Sequence, residues 1–361
     1  MITNSIFFSQ GTYGCVVNPP IHCSSKNKSF LKKKMVSKIV KNDFFTQNEL
    51  NIGKIIDNVL QKKNYSSLRD FFIIYTDFCV LGKKDLISNN NKLLIDKCNL
   101  INKKNIHDGK FIALYGPYIE SITLSIYLKY NPSFKKILRF YSFSLHVCRT
   151  LKKINVIHFD LKENNFLVSE TKNEISKFYV IDFGFSLEYN KCFLEKSKLN
   201  YDYLKHFFIY QPNYLYWSID HHILSYLVSH MKLNKESIFN KDILKKIINK
   251  SYDHDIYNNN VLFINITNYK KDCFEYFSRI LLKESMTNQE RILFLLSNYS
   301  KTWDIYSICI ICIKNLLRSK LLDKDNEVFT KLLLNGIHYD YEKRPSLKTH
   351  MVQFYDFIKN N

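Results

Sequence analysis

Two short motifs, each beside an apolar run that predicts a β-strand, constrain the fold of this 361-residue chain more than any other feature. The first is His-Phe-Asp-Leu-Lys-Glu-Asn-Asn at 158–165, which overlaps the end of the strand-like run 156–158. The second is Asp-Phe-Gly at 182–184, which follows the apolar run 178–181. Either motif can occur by chance, but the two in this order, each next to a predicted strand, form a specific signal.

The residue types in these motifs suit the transfer of a phosphoryl group, a reaction that depends on positioning and charge neutralisation. Asp160 would accept the proton of an attacking hydroxyl, and Lys162 would reach the transferring phosphate. Asn165 and Asp182 offer the hard oxygen ligands that Mg²⁺ prefers. The sequence therefore predicts Asp160 and Lys162 as catalytic residues and Asn165 and Asp182 as metal ligands.

The chain is strongly basic, with a formal net charge of +20 from 53 Lys and Arg residues against 33 Asp and Glu residues. This charge predicts weak, nonspecific attraction to nucleic acid. The basic residues are dispersed and do not alternate with aromatic residues on one predicted surface, so no base-stacking platform is indicated. We interpret most of the excess charge as a compositional bias, since Lys, Asn, Ile, Tyr and Phe are all frequent.

The nine cysteines are scattered, and only Cys309 and Cys312 lie close together, within an apolar helical run. A zinc site needs clustered ligands, so buried structural thiols are the expectation. No apolar run reaches the roughly 20 residues that a membrane-spanning helix needs, and no signal-peptide pattern opens the chain. The sequence thus predicts a soluble, reduced, monomeric protein in the cytoplasm.

Hydrophobic periodicity divides the chain into a sheet-rich first third and a helix-rich remainder. A helix is expected at 44–60, and a long amphipathic helix is expected from Pro132 to about Asn155. Residues 221–361 are expected to be mostly helical. Short strands are expected at 5–8, 15–17, 35–40, 156–158, 166–169 and 178–181.

The two motifs, together with features along nearly the whole chain, resemble those of the protein-kinase superfamily. Residues 9–16 are similar to the glycine-rich loop that covers the phosphates of ATP, where only glycine lets backbone amides approach without a Cβ atom. Ser9 replaces the first glycine of the pattern, so we expect weaker or slower nucleotide binding. The resemblance implies ATP contacts from Ser9, Gly11, Thr12, Tyr13, Gly14 and Val16.

Lys38 resembles the kinase lysine that holds the α- and β-phosphates of ATP. Neighbouring lysines, Lys34 and Lys41 among them, are alternatives, but the strand register favours Lys38 because it would share one face with Val36. Glu49 is the only glutamate on the following predicted helix. The resemblance therefore implies an ion pair between Lys38 and Glu49 that orients the lysine toward ATP.

Three residues of the second half resemble structural positions of kinases. Asp220 occupies the place of the glutamate in the Ala-Pro-Glu segment that ends the activation loop, although the proline is absent. Arg344 resembles the late arginine that pairs with that carboxylate, and Asp304 resembles the aspartate that opens the core helix of the large lobe. The resemblance implies a buried ion pair between Asp220 and Arg344.

The resemblance implies an α+β, bilobal, protein-kinase-like fold, with a small antiparallel β-sheet lobe at 1–119 and a larger, mainly helical lobe at 120–361. An insertion at about 221–300 would decorate the second lobe. The implied cofactors are ATP and Mg²⁺, with Mn²⁺ as a substitute, and the implied partner is a protein substrate. The loop residues and the long insertion are similar to serine/threonine kinases of large cytoplasmic DNA viruses, which act in the host cytoplasm or the virion.

Phe159 stands where most kinases carry an arginine that receives an activation-loop phosphate. A phosphate over this apolar side chain would lose water without gaining a partner. We therefore expect the loop to be held by packing of Tyr201, Tyr203 and Phe207, and the enzyme to be active as made. The alternative is that a lysine of the loop, Lys191 or Lys205, replaces the arginine.

Two alternatives to a protein kinase remain open. One is a phosphotransferase that acts on a small molecule, of the aminoglycoside or choline kinase kind, although such enzymes usually lack the equivalents of Lys162 and Arg344. The other is a pseudokinase, a binding scaffold without turnover, which the changes at Ser9 and Phe159 allow. Specificity for serine and threonine rather than tyrosine is expected from Asp-Leu-Lys at 160–162.

Overall fold

A computed structural model gives the fold of the chain. Thr12 and Tyr13 of the expected phosphate loop lie outside the residues that it describes. The described residues are 7–11, 14–25, 34–62, 68–88, 92, 95–101, 110–130, 132–170, 176–195, 198–230, 239–258, 265–322 and 326–360.

The chain divides into two compact units, which do not correspond to two uninterrupted stretches of sequence. The first unit comprises Met1–Ile122 and Phe166–Ser186, and the second comprises Thr123–Asn165 and Leu187–Asn361. Helix accounts for 56% of the structure and strand for 16%. The expected α+β class, with small antiparallel sheets and a larger helical part, is confirmed, while the kinase-like, bilobal arrangement stays a prediction.

The first unit is built on a five-stranded antiparallel sheet. Its central strand, Met35–Lys41, pairs on both sides and is mostly buried, an environment that favours β-branched residues such as its valines and isoleucine. The register places Lys38 opposite Val16 on one side and Leu114 on the other. In order across the sheet, the strands are Phe7–Gln10, Gly14–Asn18, Met35–Lys41, Phe111–Pro117 and Asp77–Leu81.

The helix Phe44–Leu60 has the bounds that the periodicity predicts. Asp43 caps it by accepting a hydrogen bond of 3.0 Å from the backbone N–H of Thr46, a contact that stabilises a helix by about 1 kcal/mol. Leu50 belongs to an apolar cluster with Val40, Tyr75, Ile112 and Leu114. Glu49 is carried into the same buried environment, with only 4% of its surface exposed.

A hairpin and the Asp-Phe-Gly motif that follows it complete the first unit. The strands of the hairpin are Phe166–Glu170 and Ser176–Val180. After the hairpin, Phe183–Phe185 forms a short 3-10 turn. Asn48 holds this turn, because its amide nitrogen donates to the carbonyl oxygens of Gly184 at 3.0 Å and Ser186 at 2.7 Å. Buried hydrogen bonds therefore connect the helix that carries Glu49 to the Asp-Phe-Gly motif.

Four of the cysteines form disulfides in the first unit, which corrects the prediction of reduced thiols. Cys15 pairs with Cys98 across a Cα–Cα distance of 5.9 Å, and Cys23 pairs with Cys79 across 6.5 Å. The partners are 83 and 56 residues apart in the sequence, so tertiary contacts bring them together and no local spacing could reveal the pairing. The other five cysteines are buried thiols, as expected.

The second unit contains a core helix, Trp303–Arg318, in which every residue from Trp303 to Ile313 is buried. The apolar run that predicts a core helix at 305–317 is thus confirmed. The long helix expected after Pro132 is Phe134–Lys153, and Ser133 caps it by accepting from the N–H of Lys136. The other α-helices in the described part of the second unit are Leu124–Tyr130, Tyr201–Phe207, Ile219–His230, Lys241–Ser251, Ile266–Leu281, Asn288–Tyr299, Glu327–Gly336 and Leu347–Asn360.

The region of the expected insertion, 221–300, is mostly helical where the structure describes it, with non-helical segments at 252–258 and 282–287. Asparagine residues cap two of its helices. Asn240 caps Lys241–Ser251 by accepting from the N–H of Ile243 at 3.0 Å, and Asn265 caps Ile266–Leu281 by accepting from the N–H of Asn268 at 2.9 Å. Across the described ranges, none of the helices is both long and apolar enough to span a membrane.

Candidate active site

The first unit brings Lys38, Glu49 and Asp182 together. The Nζ atom of Lys38 donates to both carboxylate oxygens of Glu49, at 2.9 and 2.8 Å, and to Oδ1 of Asp182 at 3.0 Å. Lys38 and Asp182 are 144 residues apart in the sequence. The structure therefore forms the ion pair that the sequence predicts between Lys38 and Glu49, while their role in binding ATP stays a prediction. We refer to these three residues as the Lys38 cluster.

The charges of the Lys38 cluster are unevenly buried. The side chains of Lys38 and Glu49 are 12% and 5% exposed, whereas that of Asp182 is 37% exposed. Burial lowers the pKa of Lys38, but the carboxylates of Asp182 and Glu49 outweigh it, so the pKa is raised and the amine stays protonated. Burial also raises the pKa of Glu49, which Lys38 only partly opposes. The cluster thus holds a fixed cation beside one carboxylate that reaches solvent.

Gly14 allows a neighbouring strand to approach Lys38 closely. A Cβ atom on Gly14 would lie 2.9 Å from Cγ1 of Val40 and 3.4 Å from Cε of Lys38, so a side chain would force the two strands apart. The backbone N–H of Gly11 donates to the carbonyl oxygen of Gly14 at 2.9 Å. The two glycines of the expected phosphate loop therefore close a turn at the edge of the strand pair.

Among the remaining residues of this expected loop, Val16 lies opposite Lys38 in the sheet. Ser9 is exposed and lies opposite Val16, which is half-buried, in the antiparallel pair. Thr12 and Tyr13 lie outside the described residues. The contacts of Ser9, Thr12, Tyr13 and Val16 with ATP stay predictions.

Two non-glycine residues of the motifs have a left-handed backbone. The φ angle of Phe159 is 71° and that of Asp182 is 66°. Such a conformation costs about 1–3 kcal/mol for each residue and persists only where the surrounding contacts enforce it. Strained residues of this kind cluster at functional sites, and both of these residues lie in the motifs that predict catalysis.

In the second unit, Asp160 lies among hydrogen-bond donors. The Nζ atom of Lys162 donates to Oδ2 of Asp160 at 2.7 Å. The Nδ2 atom of Asn165 donates to the backbone oxygen of Asp160 at 2.7 Å and to Oδ2 at 3.1 Å. The phenol of Tyr214 donates to Oδ1. The Asp160 side chain is 17% exposed, so the carboxylate is held in place and still reaches solvent.

Asp304 positions the backbone of the loop that carries Asp160. Its Oδ2 accepts from the N–H of His158 at 2.9 Å, and its Oδ1 accepts from the N–H of Phe159 at 3.1 Å. Burial raises the pKa of Asp304, whereas His158 and the two amide hydrogen bonds lower it. The first turn of the core helix is thereby connected to the loop, and Asp304 lies in that turn, as the resemblance implies.

Asp220 and Arg344 form the ion pair that the sequence predicts. Their Oδ1–Nη2 distance is 2.8 Å, and both side chains are fully buried, at 0% exposure. The other oxygen of Asp220 accepts from the indole N–H of Trp303 at 2.6 Å. Arg344 also donates to the hydroxyl of Thr302 at 3.2 Å and to the carbonyl of His338 at 2.7 Å. Both charged groups therefore have several partners inside the protein.

Aromatic rings enclose Phe159, which is 2% exposed. The rings around it belong to Phe207, Phe208, Trp217, His221 and Trp303, with centroid distances from 4.5 to 6.1 Å. The indole N–H of Trp217 also donates to the carbonyl oxygen of Phe159 at 2.9 Å. Packing by Phe207 is thus present, and Tyr203 contacts Phe207 with a centroid distance of 4.8 Å, while Tyr201 is half-buried.

The lysines considered as replacements for the missing arginine pair with acidic neighbours on the chain. Lys191 forms an ion pair with Glu188, and Lys205 forms one with Asp202. Both pairs are local, with a spacing of three residues. Aromatic packing is therefore what surrounds Phe159 in this structure.

Asn165 and Asp182 are the expected Mg²⁺ ligands. The amide nitrogen of Asn165 donates to Asp160, which leaves the amide oxygen as the atom that could bind a cation. Asp182 offers a carboxylate that is 37% exposed. Both are hard oxygen ligands, so the residue types fit Mg²⁺. Asn165 belongs to the second unit and Asp182 to the first, and the described ranges contain no group of three or more His, Cys, Asp or Glu that could hold a metal.

Sequence reasoning missed a network of phenols next to Asp160. Tyr214 donates to Asp160, and Tyr216 donates to Glu163. The Nζ atom of Lys314 lies 2.9 Å from Oε1 of Glu163 and donates to the hydroxyl of Tyr216 at 2.9 Å. The two tyrosines are 54 and 53 residues from their acceptors, so no local pattern identifies the partners.

No protein-family model matches the chain, and no curated protein matches it either. The motif residues and their contacts are therefore the basis for any functional assignment.

Proposed function

We propose that this protein is an ATP- and Mg²⁺-dependent serine/threonine protein kinase. The observation that carries the proposal is the contact of Lys38 with both Glu49 and Asp182, at 2.8 to 3.0 Å. Protein kinases hold a phosphate-binding lysine by a glutamate of the following helix and use the aspartate of Asp-Phe-Gly to bind Mg²⁺. Chance would rarely bring these three residue types together from such distant parts of a chain.

The proposed mechanism gives each residue one task. Lys38 holds the α- and β-phosphates of ATP, and Asp160 orients the acceptor hydroxyl and takes its proton. Lys162 neutralises charge on the transferring phosphoryl group. Asn165 and Asp182 would hold Mg²⁺, which supplies charge neutralisation along the phosphates when it is bound.

Two contacts favour a protein rather than a small molecule as the acceptor. Lys162 donates to Asp160 at 2.7 Å, and Arg344 pairs with Asp220 at 2.8 Å. Small-molecule phosphotransferases usually lack both features, whereas protein kinases use them to shape the segment that receives the substrate. The order Asp-Leu-Lys at 160–162 supports serine and threonine as acceptors.

A pseudokinase is the less favoured assignment, because the residues needed for turnover are present and contact one another. Lys38 is paired with Glu49, and Asp160 is hydrogen-bonded to Lys162 and Asn165.

The net charge of +20 supports a weak, salt-sensitive attraction to nucleic acid as a secondary property. The proposed location, in the cytoplasm or the virion, rests on the resemblance alone. The two disulfides of the first unit favour the virion over the cytoplasm, because disulfides are commoner outside reducing compartments.

The proposal is tested by offering purified protein several acceptors with labelled ATP and Mg²⁺. The acceptors are a generic basic protein, a serine peptide, choline and an aminoglycoside. We expect label on the protein and peptide, and phosphoserine or phosphothreonine after acid hydrolysis. Label on choline or the aminoglycoside alone would assign the small-molecule reaction, and ATP binding without transfer to any acceptor would assign a pseudokinase.

A further inference from the structure

Both oxygens of the Asp160 carboxylate are engaged by side chains of the second unit. Oδ2 accepts from Lys162 at 2.7 Å and from Asn165 at 3.1 Å. Oδ1 accepts from the phenol of Tyr214. A hydroxyl that is to give its proton to Asp160 must therefore approach Oδ1, the oxygen that the Tyr214 hydroxyl already occupies.

Tyr214 is held firmly in this position. Its ring contacts those of Trp217 and Tyr216, with centroid distances of 4.7 and 5.5 Å. Trp217 is itself fixed, because its indole N–H donates to the carbonyl of Phe159 at 2.9 Å. The backbone N–H of Tyr214 donates to the carbonyl of Gln211 at 3.0 Å and closes a turn. Ring packing and a turn thus direct the phenol of Tyr214 toward Asp160.

The phenol remains a donor at all physiological pH values. Burial raises the pKa of Tyr214, and the charge of Asp160 together with the hydrogen bond to it raises the pKa further. A protonated hydroxyl against a carboxylate is the contact that an acceptor serine makes with a catalytic base. Tyr214 therefore presents to Asp160 the same chemical group as a substrate does.

We propose that Tyr214 is a specificity-determining residue that occupies the acceptor position and must be displaced before a substrate hydroxyl reaches Asp160. The inference rests on the proposed kinase function. A structured protein segment that binds to the surrounding surface could displace the phenol, whereas water or a small alcohol has no further contacts to do so. Tyr214 would thus favour protein acceptors and suppress hydrolysis of ATP.

The chemical step defines what the displacement allows. The acceptor oxygen forms a bond to the γ-phosphorus as the bond from that phosphorus to the bridging oxygen of ADP breaks. The acceptor proton passes to Oδ1 of Asp160 and leaves to solvent after the product departs. With water as the acceptor, the same step yields ADP and inorganic phosphate, so access of water to Oδ1 should be visible as ATPase activity.

The test compares Tyr214→Phe with Tyr216→Phe in the full chain. The first variant removes the hydroxyl at Asp160 and keeps the ring that packs on Trp217. The second removes the neighbouring hydroxyl, which donates to Glu163 instead. The measurements are kcat/KM for a serine peptide, the rate of ATP hydrolysis without peptide, the KM for ATP and the Tm of each variant.

We expect Tyr214→Phe to raise both kcat/KM for peptide and ATP hydrolysis about tenfold or more, the size expected for losing a competing hydrogen bond to a charged group. The KM for ATP should not change, and Tyr216→Phe should raise neither the kcat/KM for peptide nor the rate of ATP hydrolysis. If Tyr214→Phe fails to fold, Tyr214→Leu, whose side chain has no hydrogen-bond donor, serves in its place.

Three results would overturn the inference. An unchanged or reduced kcat/KM in Tyr214→Phe, with active wild-type protein, would show that Tyr214 only positions Asp160 and would leave the kinase assignment intact. Phosphate on Tyr214 itself would make the residue a substrate. Absence of transfer by every variant would remove the proposed function and this inference together.

Discussion

Each unit of the protein contains a buried pair between a basic and an acidic side chain, and the two pairs differ in how completely they are enclosed. Arg344 and Asp220 are both 0% exposed and have further hydrogen bonds to neutral groups, including the indole of Trp303. Lys38 and Glu49 have a second acid beside them, Asp182, which is 37% exposed. One pair is closed to solvent, and the other has an open side.

Under the proposed function, this difference separates a structural pair from a functional one. A closed pair can only hold segments together, since no ligand can reach its charges. In a cluster with one cation and two acids, the 37% exposed carboxylate of Asp182 can still be reached from solvent, and under the proposed function it would meet a Mg²⁺-bound polyphosphate. The same reasoning applies to Asp160, whose carboxylate is anchored and still 17% exposed.

The largest effect on stability is expected at the closed pair. Arg344→Ala leaves the carboxylate of Asp220 buried without its cation, which should lower the free energy of unfolding by about 3–5 kcal/mol. Arg318→Ala is the matched control, because Arg318 is exposed at the end of the core helix. Chemical denaturation measures both. Equal, small losses for the two variants would show that the pair does not stabilise the second unit.

Lys38→Met should affect catalysis more than stability. Removing one fixed charge from a phosphoryl-transfer site is expected to lower kcat/KM about 10²–10³-fold. The unfolding free energy should fall less than in Arg344→Ala, because the Lys38 cluster includes a carboxylate that is 37% exposed, whereas both side chains of the Arg344–Asp220 pair are fully buried. Lys41→Met, an exposed change on the same strand, is the control. A Lys38→Met variant with near-normal kcat/KM, or one that loses as much unfolding free energy as Arg344→Ala, would contradict the distinction between the two pairs.

The first unit is stabilised by covalent links rather than by a closed ion pair. Opening the Cys15–Cys98 link, which joins residues 83 apart in the sequence, should lower the unfolding free energy by about 2–4 kcal/mol. The measurement is denaturation with and without a thiol reductant. A Cys15→Ser, Cys98→Ser double variant is the control and should respond less to reductant. An identical response of wild type and variant would argue against this disulfide.

Acid should destabilise the second unit through its buried histidines. Burial lowers the pKa of His222 to about 3 and that of His350 to about 4, whereas an unfolded histidine titrates near 6.5. Below about pH 6.5 the unfolded state binds more protons, so stability present above that pH is lost as the pH falls toward 4. At pH 5 each histidine should cost about 2 kcal/mol relative to pH 8.

His350→Asn tests this pH dependence. The variant should show a shallower loss of stability between pH 7 and 5 than the wild type, while His230→Asn, a change at an exposed residue, should not. Parallel curves for all three proteins would mean that His350 is not buried in its neutral form.

Local patterns in the sequence predicted several of the helices and strands well. The helix Phe44–Leu60 was predictable from its apolar periodicity and the core helix Trp303–Arg318 from its continuous apolar run, because both patterns are properties of neighbouring residues. The partners of Lys38 and Arg344 were predictable only through the resemblance to kinases. No pattern in the sequence itself relates residues that far apart.

Features that depend on distant segments were not predictable. The disulfide between Cys15 and Cys98 requires two segments to pack into one core before their sulfur atoms meet. The contact of Tyr214 with Asp160 likewise depends on the turn and the aromatic packing that direct the phenol. Where a residue acts through a tertiary contact, its type and its spacing along the chain are not enough to predict its partner.

The most direct test of the kinase assignment is phosphate transfer by Asp160→Asn compared with wild type. Asparagine keeps the shape of the side chain and can still accept a hydrogen bond, but it cannot take up the acceptor proton. We predict a loss of about 10²–10⁴-fold in kcat for a serine peptide, with ATP affinity and Tm close to those of the wild type. Near-normal kcat in Asp160→Asn would contradict the account, because the carboxylate would then have no part in the transfer.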